Sequence, residues 1–181
     1  MGGEQGGNEK IMDTFIEQIV KKKFSSLDYL IFTGEILTGL IILLLSWAFI
    51  PFFFSVVFVA VCIAEYYLLT SRNLEYEYSV TNGDITIDKI INKRSRKRLI
   101  TMDAHEIESM GKYKPEDHVQ KSYDLRVVAS ANGFSDNSWY FFGHHTKKGN
   151  VLVVFDPDDT VRMSIKPFLK RQVSIDAFGR N

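Results

Sequence analysis

From residue 29 to residue 70 the chain reads YLIFTGEILTGLIILLLSWAFIPFFFSVVFVAVCIAEYYLLT, continuously apolar, with charge only at Glu35 and Glu65. A membrane-crossing helix needs about 20 apolar residues, so a stretch about twice that length predicts two of them. Pro51 stands at the midpoint, where a helix has to break in any case. The predicted passes are residues 29–47 and 52–70, joined by a short turn. The run is too long and starts too late for a cleaved signal peptide. A buried hairpin in a soluble protein would share its apolarity, but its length and its lack of basic residues favour a bilayer.

On either side the pattern changes. Residues 74–81, LEYEYSVT, alternate strictly: Leu74, Tyr76, Tyr78 and Val80 on one face, Glu75, Glu77, Ser79 and Thr81 on the other. That is a strand with one buried side. Asn82-Gly83 is a strong hairpin signal, and DITIDKII runs back from it, so Val80 should face Ile85 and Tyr78 should face Ile87. A second reversal within residues 92–95 returns the chain as RKRLITM, with Ile100 and Met102 on the buried face. Residues 103–110 read as a short helix or loop, and 111–122 as a polar, mobile connection. Three further strands are expected at about 124–131, 138–145 and 151–155. Asp156-Pro157-Asp158-Asp159 then reads as a helix start, with a cap, a proline and acids in the first turn. Val161, Ile165, Phe168 and Leu169 give that helix an apolar stripe, which Pro167 limits. Ahead of the apolar third, residues 1–10 are Gly-rich and expected to be disordered. In residues 11–24, Ile11, Met12, Phe15, Ile16, Ile19 and Val20 recur at helical spacing, predicting an amphipathic helix that lies along the membrane or packs on the soluble domain.

The fold class expected is therefore α+β: a two-helix transmembrane hairpin followed by a β-sandwich or partly open barrel over residues 72–172, closed by a C-terminal helix, with residues 173–181 as a tail.

Charge sharpens this picture. The formal net charge is zero, from 22 Lys/Arg and 22 Asp/Glu, but residues 29–70 carry no basic residue at all. Lys21, Lys22 and Lys23 precede the first pass, Arg72 follows the second, and the turn between them is uncharged. Both termini should then face the cytoplasm, as in a multi-pass protein of the cytoplasmic membrane. Lys93, Arg94, Arg96, Lys97 and Arg98 crowd into six residues at the second reversal, which the meander returns to the membrane-proximal end. Together with Lys21, Lys22, Lys23 and Arg72 they are the expected contacts with an anionic inner leaflet. A nucleic acid partner is not expected, because no aromatic platform or groove-entering helix accompanies the charge. Glu35 and Glu65 lie about 8–9 Å inside the predicted helix ends, at about 1.5 Å per residue. They suggest a shared proton, an ion-coupled site or an oligomer contact, or they simply reach back to the interface.

Catalytic chemistry is not expected. The single cysteine, Cys62, excludes an intrachain disulfide and a thiolate cluster. His144 and His145 are adjacent on a strand and point to opposite faces, while His105 and His118 have no partner at ligand spacing. No phosphate loop or nucleophile elbow appears, and no cofactor or metal is expected. Trp139, Tyr140, Phe141, Phe142 and Phe134 make the richest aromatic cluster; half should be core and any exposed remainder a contact surface.

YEYSVTNGDITID, a basic turn, LITMDAHEIESM and a DPDD-capped terminal helix resemble the bacterial pleckstrin-homology-like domains that follow paired membrane helices. More narrowly, the chain from Met12 onward resembles an uncharacterised Gram-positive family of two-helix membrane proteins, and that beginning makes Met12 an alternative native start. The resemblance implies the fold and the membrane setting and brings no catalytic residues. Phosphoinositide-binding members of the wider superfamily carry their basic residues in the first hairpin; this chain has Asn82-Gly83-Asp84 there, so that ligand site is not carried over. The function expected is a binding or scaffold module at the inner leaflet with lipid and an unidentified membrane or cytosolic protein as partners. The alternative is an accessory or regulatory subunit of a transport or ion-linked complex that uses Glu35 and Glu65.

Overall fold

FIEQIVK, residues 15–21, satisfies two periods at once. Ile16 and Val20 fall on one helical stripe with Phe15 and Ile19, yet Ile16, Gln18 and Val20 also alternate with Phe15, Glu17, Ile19 and Lys21. In the computed structural model, which describes residues 15–118, 122–135 and 137–179, the strand period wins. Phe15–Lys21 is strand β1, not an amphipathic helix; residues 11–14 of the expected helix lie outside the described residues, as do residues 1–10. The reason is tertiary. β1 pairs antiparallel with β2 (Leu74–Thr81), running from Phe15 opposite Thr81 to Lys21 opposite Glu75, and Ile16 and Val20 pack on the core. β-branched side chains with an unpaired strand edge beside them gain more from the ladder than from a lone helix.

This places the helical pair inside the domain's own sequence. Between β1 and β2 the chain runs through α1 (Ser26–Phe49), a 3₁₀ turn at Pro51–Phe53 and α2 (Phe54–Ser71). Ser25 caps α1, accepting from the Leu27 N–H at 3.4 Å, and its own N–H donates to Asp28 Oδ2 at 2.8 Å. Both helices are long and apolar enough to cross a membrane, and they bury almost nothing against protein: Gly39 and Ser46 in α1, no residue in α2. The core helix of a soluble protein would be mostly covered; these suit an apolar solvent.

The expected hairpin forms with the expected register. β2 pairs β3 (Asp84–Ile91) with Val80 opposite Ile85 and Tyr78 opposite Ile87. Gly83 sits at φ +95°, and a Cβ there would lie 2.9 Å from the Phe168 ring, so the turn requires glycine twice over. β4 (Ser95–Asp103) completes a sheet of order β1-β2-β3-β4. Where a helix or loop is expected at 103–110, Ala104–Glu106 makes one 3₁₀ turn and Ile107–Lys112 continues as β5, its Ile107 and Met110 buried. β6 (Leu125–Ala129), β7 (Trp139–His145) and β8 (Gly149–Phe155) join it in a second sheet of order β5-β7-β8-β6, with β6 parallel to β8.

The two sheets enclose one core built from Tyr78, Ile85, Ile87 and Ile100 on one side and Phe141, Val151, Val153 and Phe155 on the other. Burial pushes the Tyr78 phenol well above its ordinary pKa; its hydroxyl stays protonated, donates to the Ala129 carbonyl and accepts from the Asp156 N–H. The segment expected to be mobile carries Tyr113 and His118, both buried, which stack on each other over the outer side of the second sheet. Asp158, not Asp156, caps α3 (Asp159–Ile165), and Pro167 ends that helix in a 3₁₀ turn. The expected tail is a further helix, α4 (Arg171–Phe178), with Val173 buried and Phe178 stacked on Trp139 at 5.7 Å. The class is α+β as expected, with one strand ahead of the helices and one helix after the expected last.

Candidate functional site

The end of the first sheet from which α1 and α2 emerge gathers Lys21, Lys22, Lys23, Arg72, Lys93 and Arg94. The Lys22 N–H donates to the Leu74 carbonyl at 2.9 Å, and the Lys23 N–H to the Ala131 carbonyl at 2.8 Å. The second reversal arrives beside them, the Asn92 N–H donating to the Asn73 carbonyl at 2.7 Å, one residue past the helix cap Arg72. The meander therefore returns the basic turn to the helix-proximal end, as the strand count predicts. Lys93 and Arg94 are exposed there, and Asn92 and Lys93 hold φ values of 49° and 56°. For a lysine this left-handed backbone is strained.

The rest of the basic run divides, and a β-bulge divides it. In β4, Ile100 and Met102 face inward, and strict alternation would turn Arg98 and Arg96 inward as well. The register instead shifts at Ile87/Asp88: Ile87 faces Ile100, while Asp88 faces Arg98 and Ile90 faces Arg96, with Leu99 as the extra residue. Arg96 and Arg98 thereby reach the sheet's outer side, where Arg96 Nη2 binds Glu77 Oε2 at 2.6 Å and Arg98 Nε binds Asp88 Oδ1 at 3.1 Å. Glu77 and Asp88 are only 4% and 3% exposed, and a buried carboxylate without such a partner is costly. Glu77's pKa is raised, first by burial and next by the nearby Glu17, with Arg96 pulling the other way. Two of the five charges thus serve the fold; Lys93, Arg94 and Lys97 have no ion-pair partner among the described residues.

At the junction itself, Lys22 Nζ lies 3.8 Å from Asp28 Oδ2, and Arg72 reaches Asp28 Oδ1 at 4.0 Å and Glu35 Oε1 at 3.2 Å. Arg72 is thus a tie between the two helices rather than a free surface cation. Glu35 and Glu65 line one cavity of about 460 Å³ between α1 and α2, together with Gly34, Thr38 and Gly39. The Glu65 carboxylate rests on Gly39, where a Cβ would come within 2.6 Å of it, and the Oε2 of each glutamate is buried without a hydrogen bond.

The remaining candidates resolve into structure. Asp156 accepts from the Ala131 N–H and from Ser138 Oγ, each at 2.7 Å, and so fastens a loop instead of capping a helix. His144 meets Asn150, His145 accepts from the Lys147 N–H, and His118 bonds the Tyr123 hydroxyl. Of the aromatic cluster, Trp139 and Phe141 are core, Tyr140 and Phe142 pack under Tyr113 and Tyr123, and Phe134 is half exposed while stacking on Tyr113. The bulge was the signal that sequence reasoning missed, because one extra residue in a strand leaves no mark on composition or period.

A family model described as Bacterial PH-like domain (DUF6106) matches residues 12–175, a span that takes in both helices and both sheets. No curated protein and no solved structure matches the chain.

Proposed function

The chain belongs to the bacterial PH-like domain family, and we propose that it is an integral protein of the cytoplasmic membrane whose PH-like domain acts as a binding or scaffold module on the inner leaflet. The observation that carries this reading is the insertion of α1 and α2 between the adjacent strands β1 and β2. The domain is then tied to the bilayer at two neighbouring points, through short connections at residues 22–25 and 72–73. Such a double tether restricts tilt as well as distance. Lys22, Lys23, Lys93 and Arg94 ring the same end, and each cation near an anionic leaflet contributes about 1 kcal/mol. They orient the domain; the apolar helices anchor it. Binding rather than catalysis fits the way its polar side chains are spent on caps, turns and ion pairs.

Cysteine labelling tests the topology. In a Cys62→Ala background, Arg94→Cys should react with an impermeant maleimide only after cells are lysed, and Phe53→Cys, in the turn between the helices, should react in intact spheroplasts. The reverse pattern, or equal labelling of both, would overturn the proposal.

The cavity shared by Glu35 and Glu65 supports a second reading, an accessory subunit of a transport or ion-linked complex. Changing both to Gln distinguishes the two: loss of a pH-dependent flux supports transport, whereas loss of insertion or of a co-purifying partner supports a structural role.

A further inference from the structure

A second consequence of the bulge lies on the sheet's other side. The shift that sends Arg96 and Arg98 outward leaves Lys97 opposite Lys89 and frees Leu99 to line a groove. The groove, about 590 Å³, runs between β6 and the β2–β4 part of the first sheet. Its floor is apolar, made by Tyr76, Leu99, Leu125 and Val127, and its rim carries Lys89 and Lys148. Among the described residues that line it, Asp124 is the one acid, and that carboxylate already accepts from the Asn150 N–H at 2.8 Å. Lys148 is held at the rim by the Leu99 carbonyl, whereas Arg126 points to the other face of β6, where it donates to the Tyr113 hydroxyl. β6 is an edge strand, so half of its N–H groups along the free edge add donors to the same side.

Position selects the occupant. Tyr76 and Lys89 stand two residues from Leu74 and Ile91, where the sheet meets the helices, or about 7 Å at the rise of a strand. On the reading proposed above, that is headgroup depth. Cations over an apolar floor match an amphiphile with a phosphate, whereas a fully hydrated anion gains nothing from Tyr76 and Leu99.

We infer that this groove seats the headgroup and upper glycerol region of one anionic phospholipid of the inner leaflet. The inference rests on the proposed membrane orientation, which the cysteine labelling tests separately.

The experiment uses the full chain in nanodiscs, with hydrogen exchange read across residues 125–129. Discs containing phosphatidylglycerol should slow exchange of the β6 edge several-fold relative to phosphatidylcholine discs. Lys89→Gln with Lys97→Gln should abolish that difference, and Lys93→Gln with Arg94→Gln should keep it; an unchanged melting temperature in neutral discs shows that each variant is folded. Equal exchange in both lipids, or protection that survives Lys89→Gln with Lys97→Gln, overturns the inference. So does protection in neutral discs by added glycerol phosphate or by an acidic peptide, since either would make the site one for a soluble ligand.

Discussion

At the scale of single residues, the basic run shows how one sequence feature takes on separate tasks. Arg96 and Arg98 neutralise the buried Glu77 and Asp88, Lys97 stands across from Lys89, and Lys93 and Arg94 occupy the turn. Nothing in KRSRKR announces this division, because a strand that alternates without interruption and a strand with one bulge are spelled alike. The turn itself was legible, and so was its return to the helices. Its strain was not: a lysine at φ 56° occupies a place where glycine would be relaxed. Lys93→Gly should therefore raise stability in neutral detergent by about 0.5–1 kcal/mol, the relief of a left-handed side chain less the added freedom of the unfolded chain. It should at the same time weaken attraction to anionic bilayers by about 1 kcal/mol. Thermal melts and charge-dependent disc binding read the two effects. A variant that loses stability would show that contacts of the Lys93 side chain, not its charge, maintain the strained turn.

At the scale of elements, clear signals came from local chemistry. Asn82-Gly83 between two alternating runs located β2 and β3 to the residue, and the apolar third located α1 and α2 to within a few residues at each end. What sequence reasoning missed depends on partners far along the chain. β1 is recognisable as a strand only because β2 offers it an edge, and β5 only because β7 does. Likewise α4 exists because Val173 and Phe178 find the domain's core and Trp139. β1 matters most, since a fragment cut after the helices omits it. Residues 71–181 would lose the whole β1 ladder, the packing of Ile16 and Val20, and both bonds of Gln18, to the Asp156 carbonyl at 3.1 Å and from the Asp158 N–H at 2.9 Å. The partly buried Ile16 and Val20 alone contribute on the order of 2–4 kcal/mol, a large share of the roughly 5–15 kcal/mol that holds a domain together. The fragment should melt at low temperature or without cooperativity, and a peptide of residues 12–24 added in trans should restore a cooperative transition. A fragment that melts alone as the full chain does would make β1 an ornament of the sheet rather than part of the fold.

At the scale of the whole molecule, on the proposed membrane reading, the insertion of the helices between two neighbouring strands separates anchoring from orientation. The apolar surface of α1 and α2 is far too large for any set of surface charges to rival, so removing the basic residues should leave the chain in the membrane fraction, even after a high-salt wash. On the proposed reading, the charges govern the angle the domain keeps to the bilayer. A spin label at the distal hairpin, Asp84→Cys in a Cys62→Ala background, reports its distance to labelled headgroups by pulsed electron resonance. The distance distribution should be narrow in anionic discs at low salt. It should broaden in neutral discs, at ionic strengths that shrink the Debye length to about 3 Å, and in the variant with Lys93→Gln and Arg94→Gln. Equal widths in all four conditions would mean that the double tether sets the orientation unaided, with Arg72 bridging Asp28 and Glu35 at its base. The exposed cations at this end would then contribute to solubility rather than to docking. A broadening confined to the charge-poor conditions would mean that leaflet composition controls which face the domain turns to the cytosol, and hence what a cytosolic partner can reach.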